Sequence, residues 1–289
     1  MGIGDNRIWV PKAKVTPRRE LARDKRTIKT ILTKRRKFVI VAVALSLGLF
    51  VIQRISVESR YLAMIGFLGL SYLMAAWALF RDLRGVAWFS NMILPTLYPV
   101  SVALFYFLLP QAFVVRIGVI IIFAISMYAL LLTANIFSVA SIRTIQLLRA
   151  ARAVGFLFTV LTAAFIYHVV FSLRLPAYAI TLTVFGLSYL LFYQGVWAHT
   201  LSEKGGTREL IYSLMGASVV AEASLALSFW LIDVALASIM LAMMMYVILG
   251  LFQQDLDKRL FQRTVQEYMG FALIVLAVIV TTVLVRWSI

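Results

Sequence analysis

Nine long apolar blocks, at about residues 38–55, 61–80, 92–109, 113–137, 153–173, 177–197, 210–231, 234–252 and 268–286, decide most of what this chain can become. A bilayer core about 30 Å thick is crossed by roughly 20 helical residues rising 1.5 Å each. The blocks are about that long. Inside lipid each backbone N–H and C=O must find a partner within its own segment or in a closed barrel, and no alternating strand pattern is present, so the blocks read as helices. With 63% of residues hydrophobic and 14% charged, too little polar surface exists to face water around a soluble core. The third and fourth blocks nearly fuse, as do the seventh and eighth. We divide them at Pro110 and Asp233. The fold class expected is all-α, a polytopic transmembrane helical bundle of about nine spans.

Short echoes run down the chain. Arg26-Thr27-Ile28-Lys29 is answered by Arg143-Thr144-Ile145-Gln146 and by Arg263-Thr264-Val265-Gln266, at offsets of 117 and 120 residues. Tyr61 to Leu73 returns as Tyr178 to Leu190 at an offset of 117, and Ser101 to Pro110 returns as Ser224 to Asp233 at 123. Echoes in the same order at nearly one offset point to duplication. Four spans per unit is an even number, so both units enter from the same side, a parallel repeat about an axis along the membrane normal. The expected organisation is a basic cytoplasmic tail at 1–37, a first four-helix repeat with its linker at 38–152, a second at 153–266, and a ninth helix at 267–289.

Charge sets the expected orientation. Of 28 basic residues, thirteen lie between Arg7 and Lys37, against the three acids Asp5, Glu20 and Asp24. With that tail in the cytoplasm, twenty-three basic residues fall inside and five outside: Arg54, Arg60, Arg116, Arg174 and Arg286. The positive-inside rule then puts the N-terminus in the cytoplasm and the C-terminus outside, in a cell (inner or plasma) membrane. A signal peptide is a poor reading of residues 1–55, because the basic region is too long and no small-residue cleavage site comes after it. The linkers Ser138 to Arg152 and Gln253 to Gln266 are expected as interfacial amphipathic helices, or else plain loops. Leu256, Leu260, Phe261 and Val265 share one face of the second. Arg143, Arg149, Arg152, Lys258, Arg259 and Arg263 would then meet lipid phosphates, which makes anionic lipid at the cytoplasmic face the expected partner. Nucleic acid is not expected, since Trp9 is the only aromatic residue in the tail available for base stacking.

Few groups inside the spans carry chemistry. The chain has no Cys, and no HExxH, GxSxG, phosphate-loop or dinucleotide motif, so no enzyme, metal or cofactor is expected. Intramembrane ionisable residues are functional candidates: Glu222 near mid-bilayer, His168 in the fifth span and Arg116 near the outer end of the fourth. Helical rise places them at similar depths, so they form a candidate solute or proton site between the repeats, with a structural buried acid as the alternative. Pro95 and Pro99 should kink or break the third span. A stripe of Ser213, Ala217, Ala221, Ser224 and Ser228 suits tight helix packing, with Glu222 beside it. Met240, Met243, Met244 and Met245 read as apolar filling, while Asp255 and Asp257 diverge by about 200° and make a poor metal pair. Two functions remain: a transporter-like protein, or a non-transporting scaffold for partner proteins or anionic lipids, as a homo- or hetero-oligomer.

Overall fold

The computed structural model describes residues 17–55, 59–80, 86–110, 112–140, 147–202, 206–230, 232–258 and 261–287. Those residues form nine helices and no strand: α1 (Pro17–Ile52), α2 (Arg60–Leu79), α3 (Val86–Tyr106), α4 (Phe113–Ala140), α5 (Leu148–Ser172), α6 (Ala177–Thr200), α7 (Thr207–Ser228), α8 (Val234–Leu256) and α9 (Gln262–Trp287). Eight of them, α2 to α9, carry a stretch long and apolar enough to cross a bilayer. Large apolar side chains such as Leu62, Ile65, Val114, Ile122 and Leu182 face outward, as lipid rather than water demands. The chain is a multi-pass membrane protein. In α1 the apolar part runs only from Phe38 to Ile52, about 22 Å by helical rise. Residues from Pro17 to Lys37 continue the same helix rather than forming a loose tail.

Both hairpin divisions fall where the sequence placed them. Pro110 lies between α3 and α4. Asp233 caps α8, its carboxylate accepting the Ala235 N–H at 3.1 Å, and so satisfies one of the donors a helix start leaves open. The expected break in α3 does not occur, because the helix runs through Pro95 and Pro99. Asn91, one turn before Pro95, donates through Nδ2 to Ala134 O and Ser138 Oγ of α4, each at 2.8 Å. Tyr98 shares a 2.5 Å hydrogen bond with Ser126 on the same neighbour. Side-chain bonds before and between the two prolines hold α3 on α4 where its backbone ladder lacks donors.

The described ends of the two expected linkers belong to membrane-crossing helices. Helix α4 continues to Ala140 and α5 starts at Leu148, so Arg149 and Arg152 open a membrane-crossing helix. Helix α8 continues to Leu256, and Lys258 then adopts a left-handed φ of 55°. That turn ends the helix, so Leu256, Phe261 and Val265 share no continuous face. Arg143 and Arg259 lie outside the described residues.

Helices α1 to α4 pack as α1 on α2, α2 on α3, α3 on α4 and α1 on α4, and helices α5 to α8 pack in the same order. The buried residues Phe67, Ser71, Ala75, Ala78 and Leu79 of α2 recur 117 positions on as Val184, Ser188, Phe192, Gly195 and Val196 of α6. Ser101 and Ser224, 123 apart, each bond the carbonyl three residues back. The two groups meet chiefly along α3, which lies against α5 and α6. Ring pairs seam that contact: Phe89 with Tyr193, Tyr98 with Phe158, and Phe105 with both Phe165 and His168, at centroid separations of 6.3, 5.2, 4.7 and 5.2 Å. Helix α9 leans chiefly on α8.

Candidate functional site

Glu222, His168 and Arg116 come to three different places. The stripe Ser213, Ala217, Ala221 and Ser224 is buried, and α7 packs most closely on α6, as small residues permit. Glu222 is the next residue after Ala221, which turns it about 100° from that face. It is exposed in line with Met215 and Val219 and has no hydrogen-bond or ion-pair partner among the described residues. His168 on α5 meets Phe105 edge-on, its Nδ1 3.2 Å from Ser238 Oγ. The acid whose field reaches it is Asp233, not Glu222. Arg116 lies in the first turn of α4, where its charge acts on Tyr106. Pro95 and Pro99 are buried inside α3.

A different constellation gathers where α5 and α9 begin and α6 and α8 end. A cleft of about 940 Å³ there is lined by residues of all four helices. Helix α5 presents Arg149, Arg152 and Phe156, at the spacing that keeps side chains on one helical face. Helix α8 presents Tyr246, Gln253 and Asp257. With Gly250 they are spaced four, three and four apart, a single stripe. Gly250 has to be glycine, because a Cβ there would overlap the ring of Tyr268 on α9. Gly195 plays the same part between α6 and α8, since its Cβ would stand 2.9 Å from both Leu249 methyls. That close approach lets Gln253 Nε2 donate to Gly195 O at 3.3 Å.

The polar groups of the cleft form a chain. Arg152 Nη2 donates to His199 O at 2.6 Å, and His199 Nε2 stands 2.8 Å from Asp257 Oδ1. A carboxylate only accepts, so Nε2 carries the hydrogen of that bond. The His199 side chain is only 10% exposed, yet among the described residues its Nδ1 has no partner, and neither has the buried Arg152 Nε. Buried nitrogens without partners carry a desolvation cost of about 1–3 kcal/mol each. Arg149 adds a second positive charge to the lining, against the single carboxylate of Asp257. Two arginines against one carboxylate among the described lining residues make an environment for an anion.

The whole cleft falls within residues 38–282, the stretch that a protein-family model matches. The chain belongs to DUF5656, a family of proteins of unknown function. No curated protein and no solved structure matches.

Of the basic residues expected to meet lipid phosphate, this DUF5656 chain brings Arg149 and Arg152 to the cleft. Lys258 lies next to Asp257 at the end of α8, and Arg263 pairs with Glu267 one turn on at 3.3 Å. Sequence reasoning passed over His199, Gln253, Tyr246 and Tyr268. The signal available was the stripe Tyr246, Gly250, Gln253 and Asp257. Asp257 was weighed only as a metal partner for Asp255, which instead accepts from Tyr212 of α7.

Proposed function

We propose that this membrane protein binds an anionic ligand in the cleft between α5, α6, α8 and α9. The observation that carries the reading is the pair of arginines, Arg149 and Arg152, lining a cleft of about 940 Å³ against one carboxylate, Asp257, among the described lining residues. The Arg152 fork has donors left after its bond to the His199 carbonyl. The bias of basic residues supports placing this end of the bundle at the cytoplasmic face. The test is chemical. Purified in a neutral detergent, the wild-type chain should carry about one phosphorus-bearing or other anionic species, and Arg149→Gln with His199→Gln should lose it. Equal amounts in both would refute the reading.

The transporter-like reading draws its support from the repeat. Neighbour order in α1 to α4 recurs in α5 to α8, and buried positions recur at an offset of 117, which supports a parallel duplication of the kind carriers use. Two features weigh toward binding rather than transport. Glu222 faces outward, away from His168 and Arg116. The seam a carrier would open is closed by four ring pairs along α3. Each such pair contributes about 0.5–1.5 kcal/mol beyond its buried area, so rocking one half against the other would cost several of them together.

A further inference from the structure

The cleft has a direction. Its charged groups, Arg149, Arg152, His199 and Asp257, gather at the end of the bundle, whereas Ala153, Phe156 and Tyr246 lie deeper. From Asp257 to Tyr246 along α8 is eleven residues, roughly 16 Å by helical rise. One leaflet of hydrocarbon is about 15 Å deep, half of the bilayer core. With its charged mouth at the level of lipid phosphates, the cleft reaches roughly 10 Å into the hydrocarbon of one leaflet. Its wall is aromatic: Phe156, Tyr246 and Tyr268 line it, with Tyr246 5.3 Å from Phe156 and 5.6 Å from Tyr268, ring centre to ring centre. Helices α5 and α9 both pack on α8 and line the cleft on either side of it. Its volume, about 940 Å³, is at the top of the range for small-molecule sites and far exceeds what an inorganic anion fills.

We infer that the ligand is one anionic phospholipid, its headgroup phosphate at Arg149 and Arg152 and one acyl chain along the Phe156, Tyr246 and Tyr268 wall. The inference rests on the anion reading above and adds the source of the anion. A free phosphate would use the mouth alone and leave the deep apolar part unfilled. A zwitterionic lipid would fill the deep part, but its choline would meet the arginines with a like charge. Only an amphiphile with net negative charge at the head matches both ends. The bilayer also delivers such a ligand at high local concentration, so the site needs only modest affinity to be occupied.

The experiment is native mass spectrometry of the full chain in mild detergent, titrated separately with dioleoyl phosphatidic acid, dioleoyl phosphatidylcholine, glycerol 3-phosphate and inorganic phosphate. Wild type should take up one phosphatidic acid about tenfold or more tightly than phosphatidylcholine, the discrimination expected of charge-assisted hydrogen bonds. Arg149 is exposed and lines the mouth, so Arg149→Gln should leave the fold intact and erase that preference. Arg149→Lys, which keeps the charge, should retain most of it. Glycerol 3-phosphate or inorganic phosphate binding as tightly as the lipid, with the same sensitivity to Arg149→Gln, would overturn the lipid inference and leave the anion reading standing. Phosphatidic acid and phosphatidylcholine binding equally to wild type and Arg149→Gln, with no response to the free anions, would mean annular lipid only and would overturn both.

Discussion

Gly250 sets how closely α9 can lie on α8, and Gly250→Ala tests that contact. A Cβ at this position would stand 2.6 Å from Cζ and 2.7 Å from the hydroxyl oxygen of Tyr268, well inside contact distance. The ring packs on Tyr246 at 5.6 Å, so relief means turning the ring out of that packing or moving α9. Alanine favours the α8 helix by about 0.5–1 kcal/mol over glycine. Overpacking costs about 1–3 kcal/mol, and a lost ring pair about 0.5–1.5. The balance weakens the docking of α9 by about 1–3 kcal/mol, which raises its undocked population about 5- to 150-fold. Because α9 leans chiefly on α8, the other eight helices should keep their stability. The chain has no cysteine, so spin labels can be placed uniquely at the exposed positions Leu157 on α5 and Leu273 on α9. Gly250→Ala should lengthen and broaden the distance between them and weaken lipid uptake in the cleft. Tyr268→Ala added to it should bring the distance back toward the wild-type value. An unchanged distance distribution with a raised melting temperature would refute the reasoning, because propensity would then act with no clash to oppose it.

Asn91→Ala removes two buried hydrogen bonds to α4, each worth about 0.6–1.7 kcal/mol in a membrane. Unfolding in denaturing detergent should therefore show a loss of about 1–3 kcal/mol, and full stability would mean that α3 is not held there. Glu222→Leu replaces an exposed, partnerless carboxyl by a side chain that lipid accepts; its melting temperature should stay level or rise, and a fall would show that a partner chain covers this face of α7. For orientation, Arg208→Cys at the start of α7 and Arg174→Cys after α5, both exposed, should react with an impermeant maleimide from opposite sides. In intact cells only Arg174→Cys should label; the reverse would invert the charge-based topology.

Helix existence was legible because hydropathy reports apolar length directly, whereas α1, α3 and α5 start at Pro17, Val86 and Leu148, ahead of their apolar blocks. Pro110 and Asp233 marked the hairpins because one cannot continue a helix and the other caps one. The site was not legible, for a geometrical reason. Depth brought Glu222, His168 and Arg116 to similar levels, but depth says nothing of azimuth. The azimuth of Glu222 was in fact readable. Ser213, Ala217, Ala221 and Ser224 defined the buried face, and a residue one step from Ala221 turns off it. Arg149 and Arg152 were assigned to an interfacial helix because their linker is polar. Six residues of that linker, 141 to 146, lie outside the described structure, and both arginines belong to the first turns of α5. Gln253 was readable only as part of the stripe Tyr246, Gly250, Gln253 and Asp257, and His199 carried no sequence signal until the Gly195 contact brought α6 onto α8.

The pairing of α1 with α4 has a consequence for how the chain is made. The inward face of α1, Phe38, Val41, Leu45, Leu49 and Ile52, is completed by a helix that ends about 88 residues after α1 does. At about 5–20 residues synthesised per second, α1 waits roughly 4 to 18 s for that neighbour. In water such a wait would expose an adhesive stripe to every other nascent chain. In a bilayer the stripe is already dissolved in acyl chains as apolar as itself, so delay carries no penalty. The second group repeats the arrangement, with α5 waiting for α8. A fold whose first and fourth helices must find each other can therefore be threaded into the membrane one helix at a time.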